Sequence, residues 1–468
     1  MSILHPDRLF PAEPQLRGIA RELYASVHAL PIISPHGHTD ARWFADNAPF
    51  NNPADLLITP DHYVFRMLYS QGVSLEALGI APQNEATPVA DPQAVWQCFA
   101  EHYHLFRGTP TRMWMDHVFA EVFGIEVPFS ATTAPHFYAV ISEHLQSAAF
   151  RPRALFDRFN IEVLATTESP LDSLAYHRQI AQGDWAGRVI TTFRPDPVLD
   201  PEFEGFSANL QQLSELTAED CETYGGYLRA LRASRQIFIG HGATATDHGH
   251  PNARTAELSE REAEALFHRV RSAATAADAD LFRAHMLMQM AHMSIDDGLV
   301  MQLHPGSHRN HNLPLFKQYG RDKGADIPMA TNYVDALKPL LNRFGQSAAL
   351  RLIVFTLDES SYSRELAPLA GHYPCLRLGP AWWFHDSPEG MRRFREQTTE
   401  TAGFYNTVGF NDDTRAFLSI PARHDMARRI DCGFLARLVA EHRLSEDEAH
   451  ALAADLAVNL AREAYRLN

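Results

Sequence analysis

Two histidines separated by one glycine, His36-Gly37-His38, have a spacing that could bind a metal ion. They follow an apolar stretch, Ile32-Ile33, that predicts a short β-strand. Residues i and i+2 of a strand point to the same face, so both imidazoles can bind one ion. Neutral imidazole suits zinc, manganese, iron or nickel. Alone the pattern is weak, because two of the 25 histidines in the chain could fall at this spacing by chance.

Acidic and histidine side chains follow other predicted strands. Asp413 precedes a helical stretch and can be a metal ligand, a general base or both. The alternative is a helix N-cap, a role that Asp412 could fill instead. His304 and His241 each follow a predicted strand, where a lone histidine is more often structural than a ligand. We favour His304 as a site residue and leave His241 open.

Two arginines, Arg194 and Arg415, also lie at predicted strand ends. The chain carries 41 basic and 57 acidic side chains, a net charge of −16, so an anionic substrate must be held by local cations. Guanidinium groups pair with carboxylates through two parallel hydrogen bonds. The alternative for Arg194 is a salt bridge at the rim of the fold, for example to Asp196.

Two further segments combine aromatic and titratable side chains. Asp61-His62-Tyr63 offers two proton-transfer groups, although Asp61 could simply cap a helix. Of Trp382 and Trp383, either could pack in the core or lie against the face of a sugar. We take Trp383 as the candidate for substrate contact.

Short apolar strands alternating with longer helical stretches must position these side chains. Their continuous apolar character is typical of parallel strands that are buried on both faces. Eight such strands predict an α/β fold, a (β/α)8 TIM-type barrel whose chemistry lies at the carboxyl ends of the strands. The predicted strands are 32–38, 163–167, 189–193, 237–240, 299–303, 352–355, 376–379 and 408–410.

The sequence pattern changes between residues 42 and 155, where aromatic and aliphatic residues recur at helical spacing. We therefore predict a barrel domain from 1–41 and 156–468, with 42–155 as a helical insertion after the first strand. Residues 14–30 predict an amphipathic helix, and Ser445 with Glu448 predicts a capping box at a late helix.

Composition excludes several other classes of protein. The acidic balance argues against nucleic acid or an anionic membrane as a partner. No run of 18 apolar residues and no N-terminal signal segment is found. The four cysteines are scattered, which favours reduced thiols and a cytoplasmic location.

Taken in order, these segments resemble the uronate (glucuronate) isomerases of the amidohydrolase superfamily, from Pro14 to the C-terminus. The resemblance implies a barrel with a helical insertion and one divalent metal ion, commonly zinc. It also implies reversible conversion of D-glucuronate to D-fructuronate and of D-galacturonate to D-tagaturonate, and it is compatible with a homo-oligomer. The segments that carry it are His36-Gly37-His38, Asp61-His62-Tyr63, residues 166–174, Phe193-Arg194-Pro195-Asp196, Trp382-Trp383-Phe384 and Asp413-Thr414-Arg415.

Matched residue by residue, His36, His38 and Asp413 fall on the metal-site positions of that family. The first strand reads Ser34-Pro35 where an aspartate is expected, and Phe193 replaces a tryptophan, but neither departure touches a ligand. The sixth predicted strand ends without a histidine and the fourth without a lysine. The bridged two-metal centre of the hydrolytic relatives is therefore not supported.

The remaining matches are expected to contact substrate or move protons. They are His62, Tyr63, Arg194, His304, Trp383 and Arg415. An aldose–ketose isomerisation moves the C2 proton to C1 through an enediol. Asp413, directly or through water, is the candidate base, and Tyr63 and His62 are the candidate proton shuttle.

Two alternatives compete with this hypothesis. One is a metal-dependent hydrolase of the same superfamily, which the missing sixth-strand histidine disfavours. The other is a non-catalytic sugar-acid-binding protein, which would explain the arginines and tryptophans but not the metal-suited histidine pair.

Overall fold

The computed structural model describes residues 3–83 and 90–467. Residues 1–2, 84–89 and 468, which belong to the predicted domain ranges, lie outside the described residues. A curled parallel sheet forms the centre, with the strand order β1-β2-β3-β4-β5-β8-β9. Its strands are β1 Ile32–Ser34, β2 Ile161–Glu168, β3 Arg188–Phe193, β4 Ala245–His248, β5 Val300–Leu303, β8 Leu352–Val354 and β9 Leu376–Leu378. Two further strands, β6 Ser307–His308 and β7 Ile327–Pro328, form a separate antiparallel hairpin.

The chain segment that follows β9, around residues 407–414, closes the sheet into a barrel. Thr407 bridges to Leu378 of β9, and the amide of Val408 donates to the Leu378 carbonyl at 3.1 Å. The amide of His38 then donates to the Thr414 carbonyl at 3.0 Å, which ties this segment to the end of β1. The predicted strand at 408–410 is thus an isolated bridge at Thr407, while the predicted α/β barrel is confirmed.

The predicted strand at 237–240 is wrong. These residues form the last turn of a helix, Tyr224–Gly240, whose buried side chains Tyr227, Leu231 and Phe238 recur at helical spacing. Ile237 is exposed, as expected on the outer face of a helix. The fourth strand is β4, and His241 therefore does not lie at a strand end.

Helices flank every part of the sheet. Between β1 and β2 the described chain is helical, and its apolar core includes Trp96, Phe99 and Phe119 together with Ile32 and Ile161 of the sheet. The helical insertion thus packs against the barrel wall, and its treatment as a separate subdomain stays a prediction. The predicted N-terminal helix runs from Pro14 to Val27.

The α-helices before β2 are Pro14–Val27, Ala41–Asp46, Pro53–Leu57, His62–Tyr69, Pro92–Glu101, Pro110–His117, Ala134–Leu145 and Pro152–Arg158. Those after β2 are Ala175–Gln182, Asp196–Leu199, Phe206–Thr217, Tyr224–Gly240, Glu260–Ala273, Ala276–Asp297, Leu313–Tyr319, Val334–Phe344, Ala367–Ala370, Pro388–Ala402, Ile420–Ala440, Glu446–Ala454 and Leu460–Ala464. Short 3₁₀ or π turns are Glu76–Leu78, Tyr103–Phe106, Val118–Val122, Ala148–Phe150, Tyr362–Leu366, Trp383–His385, Phe417–Ser419 and Asp455–Asn459.

The predicted capping box near the C-terminus is confirmed. The side chains of Ser445 and Glu448 form the reciprocal capping box that begins the helix Glu446–Ala454. All four cysteines are free. Over residues 3–83 and 90–467, no helix is long and apolar enough to cross a membrane.

Candidate active site

A cavity of about 1130 Å³ opens at the carboxyl ends of the strands. It is lined by every residue that the sequence nominated for metal, substrate or proton transfer, and His241 is not among its lining residues. The nominated residues are His36, His38, His62, Tyr63, Arg194, His304, Trp383, Asp413 and Arg415. The barrel thus brings together side chains that lie up to 379 positions apart in the sequence, the separation between His36 and Arg415.

The two histidines after β1 converge with Asp413. The Nε2 atoms of His38 and His36 lie 3.1 and 3.7 Å from Asp413 Oδ1, and the two imidazole rings meet edge to face, 5.3 Å apart. One ligand atom from each of the three residues lies within 4.8 Å of the others.

The pKa values of Asp413 and His38 are both shifted towards the forms that bind a cation. Burial raises the pKa of Asp413, but the hydrogen bond and charge of His38 outweigh it and hold that pKa well below its usual range. Burial lowers the pKa of His38. Two imidazoles and one carboxylate match the donor set of a tetrahedral zinc site that keeps one position open.

Trp382 fixes the other oxygen of the same carboxylate, because its indole N–H donates to Asp413 Oδ2. The Asp413 backbone also adopts a left-handed φ of 36°, a conformation rare for residues other than glycine. The sequence offered Trp382 as core or sugar contact, and no pattern in it indicated this hydrogen bond.

Asp247 of β4 is a site residue that the sequence reasoning missed, because the fourth strand was misplaced. Its Oδ1 lies 2.8 Å from His304 Nε2, and its Oδ2 lies 3.3 Å from Arg194 and 3.8 Å from His36 Nε2. Burial raises the pKa of this carboxyl, but His304, His36 and Arg194 together hold it well below the usual value. Asp247 therefore links the metal-suited histidines to the arginine side of the cavity.

Arg194 has two acidic partners. Besides Asp247, its Nε donates to Asp196 Oδ2 at 3.0 Å, so the rim salt bridge considered from the sequence exists. Its side chain is 24% exposed and still lines the cavity. A guanidinium held by two carboxylates has its direction set before any ligand arrives.

His62 and Tyr63 begin the helix His62–Tyr69. Asp61 caps this helix by accepting from the Tyr63 amide at 2.8 Å, as its alternative interpretation supposed. The His62 and Tyr63 rings stack with centroids 4.6 Å apart. Burial lowers the pKa of His62 to about 3 and raises that of Tyr63, so both groups are neutral near pH 7.

The segment between β6 and β7 adds charges that the sequence did not nominate. Asp322 lies 3.2 Å from Arg415, and Arg309 lies 2.7 Å from Asp326. The Arg309 guanidinium also lies 5.1 Å from the ring centroid of Trp383. This segment therefore forms one side of the cavity mouth.

Comparisons with known proteins agree over nearly the whole chain. A model of the glucuronate isomerase family matches residues 15–465. A uronate isomerase of Sphingopyxis alaskensis is 68% identical over 469 residues, covering 99% of each chain. The crystal structure of glucuronate isomerase from Caulobacter crescentus superposes with a TM-score of 0.98 at 60% identity, covering 100% of this chain and 98% of that one. A uronate isomerase structure from Thermotoga maritima gives a TM-score of 0.92 at 27% identity, covering 99% of both chains.

Proposed function

The chain belongs to the glucuronate isomerase family, and on that premise we propose that it interconverts D-glucuronate with D-fructuronate and D-galacturonate with D-tagaturonate. One observation carries the proposal. A cation-suited trio and two arginines line the same cavity. An ion bound by the trio can engage sugar oxygens, and the arginines can bind a carboxylate. Sugar oxygens and a carboxylate are the two features that a uronate combines.

One divalent ion, with zinc as the expected metal, would be held by His36, His38 and Asp413. Their donor atoms lie close together, and the pKa shifts of His38 and Asp413 favour the forms that bind a cation. When bound, such an ion polarises substrate oxygens as a Lewis acid. The three residues would together hold a single ion.

Arginines would hold the anionic parts of the substrate. Arg194 is oriented by Asp196 and Asp247, and Arg415 is the more exposed of the two, at 38%. Either can pair with the uronate carboxylate or with negative charge that develops on the enediolate. His304 and Trp383 would contact the remaining hydroxyls and ring face.

Proton transfer would begin when the Asp413 carboxylate takes the proton from C2 of the open-chain sugar. The electrons of that C–H bond form the C1–C2 double bond of an enediol, and the C1 oxygen gains a proton. Tyr63 and His62, both neutral, can donate and accept protons at the two oxygens. The proton held by Asp413 then passes back to carbon, now at C1, as the C2 hydroxyl loses its proton and becomes the ketone.

Isomerisation in D₂O, followed by NMR, tests this sequence of steps. We expect deuterium at C1 of the ketose and at C2 of recovered aldose. Full retention of protium at these carbons after many turnovers would refute the enediol. Metal analysis of the same sample measures the ion content independently of turnover.

The two alternatives from the sequence make different predictions. A hydrolase would turn over chromogenic esters or amides, and a sugar-acid-binding protein would bind glucuronate without converting it. Family membership favours the isomerase over both. The four free cysteines support the proposed cytoplasmic location, and a homo-oligomer stays a proposal for sizing measurements.

A further inference from the structure

A second His-Gly-His sequence, His248-Gly249-His250, begins at the last residue of β4. Both histidines are buried, with 0% and 4% of their surface exposed. Asp196, at the end of β3, lies beside them, and one ligand atom from each of the three residues lies within 4.8 Å of the others. This group shares no residue with the trio of His36, His38 and Asp413.

The two buried imidazoles lack the partners that buried polar groups normally have. Within the described part of the chain, neither ring nitrogen of His250 has a hydrogen-bond partner, and Nδ1 of His248 has none. The remaining nitrogen of His248 lies 3.1 Å from the Thr246 hydroxyl. Leaving a buried donor or acceptor unpaired costs about 1–3 kcal/mol. Three unpaired nitrogens on two buried rings therefore require an explanation.

The geometry repeats that of the first trio. The rings of His248 and His250 are 6.0 Å apart at 88°, compared with 5.3 Å at 83° for the histidine pair after β1. A Cβ on Gly249 would lie only 2.7 Å from the Arg194 guanidinium and 2.9 Å from the Asp196 carboxylate, so a larger residue here would displace these two side chains. Burial lowers the pKa of His248 to about 3 and also lowers that of His250. Both rings are therefore neutral, as metal ligands must be.

We propose that Asp196, His248 and His250 form a second, mononuclear site for a divalent cation of the zinc class. Two imidazoles and a carboxylate suit zinc and its neighbours, and they do not suit magnesium or calcium. The site would join the ends of β3 and β4. Because Asp196 also accepts from Arg194, the ion would hold the carboxylate that orients this arginine.

Zinc stoichiometry tests the proposal without relying on catalysis. The full-length protein is stripped with a chelator, loaded with zinc, desalted and analysed for zinc per chain. We expect about two ions for the wild type and about one for the double variant His248→Asn/His250→Asn. The double variant His36→Asn/His38→Asn should also retain about one. His241→Asn removes an imidazole outside both groups and should retain two.

Anomalous diffraction at the zinc edge serves if the buried substitutions prevent folding, because it uses the wild type alone. We expect two peaks, one of them about 2.0–2.1 Å from nitrogens of His248 and His250. A single peak near His36, or a wild-type stoichiometry of one, overturns the proposal and leaves water or plain packing as the role of the buried pair. Uronate turnover measured in parallel keeps this outcome separate from failure of the proposed function.

Discussion

Replacing Trp382 with phenylalanine removes one hydrogen bond from the Asp413 carboxylate and keeps most of the aromatic contact. The indole N–H donates to Asp413 Oδ2, while the ring packs against His304 and Phe355 at centroid distances of 5.1 and 5.8 Å. A phenyl ring preserves part of that packing but cannot donate. The variant therefore isolates how firmly the carboxylate is held.

The size of the effect follows from the charge on the acceptor. A hydrogen bond to a charged group contributes about 1.5–3 kcal/mol, and about 1.4 kcal/mol corresponds to a factor of ten. Residues that orient a metal ligand change metal affinity by about 10- to 100-fold. We therefore expect Trp382→Phe to weaken zinc binding by about 10- to 100-fold. Turnover per zinc-loaded chain should fall less.

Competition with a chromogenic chelator measures zinc affinity, and NMR measures kcat/KM on glucuronate at saturating zinc. Trp383→Phe is the matched control, since its indole nitrogen has no hydrogen-bond partner among residues 3–83 and 90–467. That variant should bind zinc like the wild type. Equal zinc affinity for Trp382→Phe and the wild type would refute the assigned role of the hydrogen bond.

Four further outcomes are expected. Arg415→Met should abolish isomerisation while circular dichroism and thermal unfolding show the fold retained. His36→Asn/His38→Asn should lower zinc content and remove activity together. Asp322→Asn removes a carboxylate 3.2 Å from Arg415, so KM for glucuronate should fall by up to about fivefold. Burial raises the pKa of Glu168 from 4.5 to about 7. Because the folded state favours the protonated Glu168 carboxyl, the free energy of unfolding gains up to about 3 kcal/mol below pH 4.5. This gain is lost as pH rises through 7, so Glu168→Gln should flatten the stability–pH curve.

Each of these outcomes has an opposite that contradicts its reasoning. An unchanged kcat/KM for Arg415→Met removes that arginine from the site, and full zinc occupancy without the histidine pair removes the pair. A raised KM for Asp322→Asn would mean that this carboxylate positions Arg415 and does not compete with substrate. The same pH slope in denaturant unfolding of wild type and Glu168→Gln would place the titration elsewhere, with exposed Glu264→Gln as the control.

Most of the barrel could be predicted because its strands are buried on both faces and read as uninterrupted apolar runs. β2, β5 and β8 fall where the sequence predicts them. The site could be predicted in the same way, since side chains after parallel strands meet at one end of a barrel whatever their separation along the chain. Knowing the strands was thus enough to bring His36, His304 and Asp413 together.

The prediction of the fourth strand failed because a strand-like apolar run and a helical pattern overlap over the same few residues. Ile237-Phe238-Ile239 is apolar and β-branched, yet it completes a helical pattern that begins at Tyr224. β4 itself contains alanine, threonine, aspartate and histidine, and tertiary packing overrides this polar composition by burying all four side chains. The useful signal was the second His-Gly-His, which begins at the last residue of β4. Contacts across the cavity, such as Trp382 with Asp413, have no sequence pattern at all.

The chain is acidic overall, yet its expected substrate is an anion, and the charges that line the cavity explain how both can hold. The Debye length at physiological ionic strength is about 8 Å, so most of the net charge of −16 is screened from a bound carboxylate. The charges that act are those lining the cavity, where Arg194, Arg309 and Arg415 each face an acidic partner. Such pairing fixes the direction of a guanidinium but reduces its free charge. Arg415, whose partner Asp322 is itself 52% exposed, is therefore the arginine that can exchange its carboxylate for that of a uronate most easily.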